Sequence, residues 1–163
     1  LMYYLDANTF IEAKNRYYHM DICPGYWQWI LDSYADGSVG SIEMVLDELS
    51  KGNDELASWA KENESLFFPT DAQDVQGVMT DVSSYVASLP DLKPNAVPDF
   101  LSGADPWLVC MAKANGGVVV THELPNPDAK KKIFLPDVCD YFDVQYINTF
   151  ELLLKKEAQF VLS

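Results

Sequence analysis

Short apolar runs alternate along this chain with segments of helical periodicity, and no other feature narrows its fold so far. Tyr3–Leu5, "SVGS" at 38–41, "FFPT" at 67–70, "GVVVT" at 117–121 and "DVQYI" at 143–147 read as strands. Between them, 8–18, 24–37, 42–50, 53–66, 71–89, 102–116 and 148–158 carry apolar residues at helical spacing. Strands that alternate with helices build βαβ units, so the expected fold is α/β, with a central, mostly parallel sheet covered on both faces. "PDLKPNAVPDF" at 90–100 is rich in proline and reads as an irregular loop.

The punctuation supports these boundaries. Asn8 or Thr9 is placed to cap the first helix, Gly37 to close the second, and Asn53 or Asp54 to open the fourth. "ADPW" combines a cap residue, Asp105, with Pro106 at the first helical position, and Gly116 follows the last turn of that helix. Pro69 marks "FFPT" as an edge or connecting strand.

The first strand raises the functional question. "YYLDANTFI" runs from apolar residues straight into Asp6, with Asn8 two residues on. Either side chain could simply cap the next helix. A strand that ends in a carboxylate also delivers it to the crevice beyond the carboxyl ends of a parallel sheet, where open α/β folds bind ligands. Three further acids fall at comparable places: Glu48 in "VLDELSKG", Asp105 at a helix start, and Glu123 directly after "VVVTH". Taken singly, Glu48 reads as a solvated helix residue, Asp105 as a cap and Glu123 as a turn residue. Taken together they form the hard-oxygen inventory that a divalent cation requires.

Bulk properties exclude several classes. The 163 residues suit a single domain spanning 1–163, with 48% hydrophobic and 22% charged residues. No run approaches the roughly 20 apolar residues of a membrane span, and no basic-then-apolar leader precedes Tyr3, so a cytoplasmic protein is expected. Cys23, Cys110 and Cys139 are odd in number and form no CxxC pair, and His19 and His122 are far apart. Neither a disulfide framework nor a zinc site follows from them. GxGxxG and P-loop patterns are absent. A net charge of −14 argues against a broad phosphate-binding face but not against carboxylates gathered round a metal ion. Aromatics, at 13%, belong mainly in the core, with Trp27 and Trp29 offered for a homodimer face.

"YYLDANTFI…EMVLDEL…GADPWLVCMAKANGGVVVTHE" resembles the PIN domain, specifically the single-domain ribonucleases of the VapC-like type, over nearly the whole chain. The resemblance implies a PIN-like three-layer α/β/α sandwich and a ribonuclease that uses Mg²⁺ or Mn²⁺. By motif, Asp6, Glu48, Asp105 and Glu123 would be the catalytic metal ligands, with Asn8 and Thr121 supporting them. The family's fourth acid is usually Asp, so Glu123 after His122 departs from the pattern. Metal-activated water would hydrolyse the RNA phosphodiester. Lys14 and Arg16 are candidate phosphate contacts in the first helix, and Lys130–Lys132 a second. A toxin of this type would be paired with an antitoxin protein.

Two other readings compete. A PIN-like scaffold without nuclease activity would be a binding module. An aspartyl-phosphate phosphatase or receiver also begins with a strand ending in Asp, but Asn8 stands where the phosphatase needs a second Asp. "VVVTHE" also lacks the lysine of a receiver.

Overall fold

A computed structural model describes residues 1–162. Five strands form the sheet: β1 Tyr3–Leu5, β2 Val39–Ile42, β3 Phe67–Phe68, β4 Val118–Val120 and β5 Tyr146–Ile147, in the order β3-β2-β1-β4-β5 with every pairing parallel. The helices are α1 Ala7–Glu12, α2 Pro24–Ala35, α3 Glu43–Ser50, α4 Glu55–Glu62, α5 Gln73–Ala87, α6 Ala96–Ser102, α7 Asp105–Asn115, α8 Leu135–Tyr141 and α9 Thr149–Lys155. This is a three-layer α/β/α sandwich.

Strand order explains the layers. The chain moves outward from β1 to β2 to β3, then crosses back to β4 and β5 on the other side of β1. Right-handed crossovers therefore put the helices of the first excursion on one face and those of the second on the other. Accordingly α2 packs on β2, while α7 packs on β1, β2 and β4 with α5 against it. The reversal of direction falls between β1 and β4, whose carboxyl ends lie level, Leu5 opposite Val120.

One continuous core fills both interfaces, and the strands β2 and β4 are buried at every position, as expected of a sheet covered on both faces. On the α2 face it is largely aromatic: Tyr18 stacks on Tyr26 at 4.5 Å, and Trp27 meets Trp59 edge-on at 5.0 Å. Trp27 is buried, and Trp29 is half-buried against the same core. Cys110 and Cys139 are buried free thiols, and Cys23 is a half-buried one. Among the described residues no helix is long and apolar enough to cross a membrane.

Two expectations are corrected. The proline-rich segment is not wholly irregular, because Ala96–Ser102 forms α6. Pro98 is its third residue, where the backbone N–H has no intrahelical partner, so the proline removes no hydrogen bond there; buried Ala96 and Phe100 anchor the turn. Of the caps offered for the first helix it is Asp6 that serves, not Asn8 or Thr9, and after Glu12 the helix widens into a π-helical turn over Ala13–Tyr17, closed by Tyr18 N–H on the Ala13 carbonyl at 2.7 Å. The helix α8 was not foreseen at all.

Gly117 and Gly77 have opposite requirements. A Cβ on Gly117, just before β4, would lie 2.7 Å from both the Met2 carbonyl and the Tyr4 ring. A Cβ on Gly77, exposed in α5, would meet nothing within 4 Å. Gly117→Ala is expected to destabilise by about 1–3 kcal/mol through overpacking, and Gly77→Ala to stabilise by about 0.5–1 kcal/mol through helix propensity. Urea unfolding of the two variants checks this; equal midpoints would contradict the packing drawn for β4.

Candidate functional site

Where β1 and β4 part, a cavity of about 420 Å³ opens at the carboxyl edge of the sheet. Asp6, Asn8, Glu48, Asp105 and Glu123, drawn from four separate stretches of the chain, all line it. So do Lys131, Lys132 and Asp99. Asp99 was missed because it lies in the segment read as a loop; once α6 is recognised, its place on the rim follows.

Asp6 is both cap and cavity residue. Its backbone N–H continues the sheet to the Val120 carbonyl at 3.0 Å, and its Oδ1 accepts from Thr9 N–H at 2.9 Å. Only 2% of it is exposed. Burial pushes its pKa up to about 7, and Glu123 and Glu48 push the same way, against the Thr121 hydroxyl and the Thr9 N–H. The competing readings of "LDANT" are therefore compatible: one oxygen closes the helix while the side chain still faces the cavity.

Asp105 is the first residue of α7 and makes no side-chain cap. Burial also raises its pKa to about 7, with Glu123, Asp6 and Glu48 adding to the shift and Lys132 opposing it. The carboxylate that serves this helix start is Glu48's, whose Oε1 accepts from Ala104 N–H at 3.1 Å across 56 positions of sequence. The expectation that Asp105 is the cap fails because the helix begins one residue earlier: Ala104 stands at the N-cap and Asp105 is already the first helical residue.

Glu123 does the equivalent for α8. Its Oε1 accepts from Leu135 N–H at 3.3 Å and lies 3.5 Å from Lys132 Nζ. Leu135 is the first residue of α8, which has no cap of its own. The extra methylene that sets Glu apart from Asp at this position supplies reach toward that N–H. Thr121, 2% exposed, lies behind the cavity wall and accepts from Glu123 N–H at 3.1 Å.

Lys14 and Arg16 are not brought to the cavity. Lys14 Nζ is held 2.8 Å from Asp54 Oδ2, and Arg16 pairs with Glu12 at 3.3 Å one turn back. Both lie in the π-helical turn, beyond the residues of α1 that line the site. The cations at the cavity come instead from "KKK". Lys132 faces Glu123 and also sits 4.7 Å over the Phe134 ring.

The donor set is hard oxygen throughout, with five acids on the lining against two lysines. In charge and chemistry it fits a divalent cation, which would relieve the repulsion between Asp6 and Asp105. Among the described residues, no three His, Cys, Asp or Glu side chains are already drawn into a coordination group, so the carboxylates ring the cavity without closing on its centre.

The raised pKa values set a pH dependence. With folded-state values near 7 against an ordinary 3.8, burial of Asp6 and Asp105 favours the native state fully below about pH 4. That contribution is lost as pH rises through about 7. In chelator-treated buffer, Asp105→Asn should raise Tm at pH 8 by roughly 3–10 °C, from about 1–3 kcal/mol of removed charge burial. At pH 5 it should change Tm little. Scanning calorimetry at the two pH values checks this, and a variant that melts lower at both would show that Asp105 supports the fold in its ionised form.

No curated protein and no solved structure matches the chain. One family model does, over residues 3–160. The chain belongs to the family described as "Domain of unknown function (DUF4411)".

Proposed function

We propose that this chain is a metal-dependent ribonuclease of the PIN type, VapC-like, acting in the cytoplasm as the toxin of a toxin–antitoxin pair. One observation carries the reading. The four acids named by motif, Asp6, Glu48, Asp105 and Glu123, line one cavity at the reversal of strand order, although they lie up to 117 positions apart. Ligand sites of open α/β sheets form at that place. The chemistry of the lining also suits the reaction: carboxylates that titrate near neutrality and a lysine, with no nucleophile–base pair among them.

Asp6, Glu48, Asp105 and Glu123 would hold Mg²⁺ or Mn²⁺, which when bound supplies Lewis acidity and lowers the pKa of water. The protein's own part is positional. Thr9 N–H and the Thr121 hydroxyl orient the Asp6 carboxylate and partly offset the burial that disfavours its charge. Lys132 keeps Glu123 partly neutralised and lies where a phosphate oxygen of the substrate would enter. Asn8, exposed at the cavity wall, offers an amide to the substrate or to water.

RNA cleavage is expected to need Mn²⁺ or Mg²⁺ and to stop with chelator. Asp6→Asn and Asp105→Asn should each lower kcat by at least about 100-fold, while Glu123→Gln, whose carboxylate is shared with Leu135 and Lys132, should lower it less. A labelled single-stranded RNA resolved on a gel reads both. Cleavage that persists in excess chelator excludes the mechanism.

A second reading, a PIN-like binding module without nuclease activity, is favoured by one feature. Glu48 and Glu123 are both occupied by backbone N–H groups. Calorimetric titration separates the two: an inactive module takes up neither Mg²⁺ nor Mn²⁺ at millimolar concentration.

A further inference from the structure

Beside the acidic cavity lies a second, smaller one of about 140 Å³, and the two share Lys132 and Ile133 in their walls. Its lining is of another kind. Tyr85 and Phe134 supply rings, Leu89 and Ile133 apolar walls, and Lys130 and Lys132 ammonium groups, while the one carboxylate, Asp137, accepts from Asn126 N–H at 2.9 Å. Tyr85 is held in place by a stack on Tyr141 with 3.7 Å between centroids. The loops beside the slot are tied together by Lys93 N–H donating to the Lys130 carbonyl at 2.8 Å.

Charge gives the slot its meaning. The chain has a net charge of −14 and only 11 basic residues, yet three consecutive lysines stand between its most acidic cavity and this aromatic slot. Lysines beside aromatic rings that open onto a slot, here the half-buried Tyr85 and Phe134, are the combination that holds single-stranded nucleic acid, the cations tracking phosphates while bases stack on aromatic faces. An apolar solute would not call for the lysines, and a bare phosphate would not call for the rings.

We infer that this slot binds the base of a nucleotide next to the phosphate presented to the acidic cavity, in a single-stranded RNA whose backbone crosses Lys130–Lys132. The identity of the occupant rests on the ribonuclease reading; the slot itself does not. Such a subsite makes the protein a reader of unpaired RNA, because a base in a duplex is not free to enter.

The test measures binding and not cleavage. Fluorescence anisotropy is recorded in excess chelator with a labelled eight-nucleotide 2′-O-methyl oligoadenylate and with a set carrying one abasic position stepped along it. The wild-type chain should bind the intact strand roughly tenfold more tightly than the strand abasic at one particular position, the loss expected for one base–aromatic stack. Ala129→Phe, which fills the slot from a half-buried wall position, should erase that difference at unchanged Tm. Lys130→Ala should weaken all strands alike and make the salt dependence shallower by roughly 0.7 in log–log slope. Equal affinity for every abasic strand, or an undiminished preference in Ala129→Phe, overturns the proposal. Chelator-sensitive cleavage alongside that result leaves the nuclease reading standing. A slot that binds as described in a chain that cleaves nothing fails the nuclease reading alone.

Discussion

Everything at the working edge of this molecule depends on holding two aspartates, the buried Asp6 and the half-buried Asp105, on the wall of one cavity. Both are raised to about 7, by burial first and then by neighbouring acids, Glu123 and Glu48 acting on each. Backbone N–H groups at helix starts bring the surrounding carboxylates there. Asp6 binds within α1, Glu48 at the entry to α7, and Glu123 at the start of α8. Helix starts leave N–H groups unpaired, and a carboxylate accepts from them strongly. The same bonds that finish the helices therefore assemble the acids.

That arrangement divides the four residues into two kinds. The glutamates reach across the fold and hold elements together: α3 to α7 through Glu48, and the end of β4 to α8 through Glu123. The aspartates are short and sit on the strand end and the helix start themselves, where their backbone is already positioned. Local rules that serve stability alone would not leave Asp105 half-buried among other acids. A departure of that kind is expected at functional sites, where stability yields to chemistry. Lys132 is placed as a counter-charge against both Glu123 and the Asp105 carboxyl.

Much of the fold was legible. The positions of β1, β2 and β4 followed from apolar runs, and Gly116, at φ +70°, closes α7 as its type predicts. Asp54 caps α4 and Asn148 opens α9 with a full capping box, both local signals. What escaped was decided by partners distant in sequence. Pro98 looks like a helix breaker until α6 is seen to begin two residues earlier, and α8 is a seven-residue helix whose first N–H is served by Glu123, twelve positions away. Lys14 reads as a free cation in the first helix, yet Asp54, forty positions on, holds it.

By itself the sequence determined the alternation of strands and helices, and therefore a parallel sheet wrapped on both faces, because periodicity and caps act over a few residues. It also determined which acids stand at element ends. Only the tertiary structure decided that those ends meet at one place, through the reversal of strand order between β1 and β4. It decided, too, which carboxylate caps which helix and which lysines face the cavity. Hydrogen bonds and ion pairs between residues 12, 40 or 56 positions apart leave no local pattern, since their energy depends on where folding brings the partners.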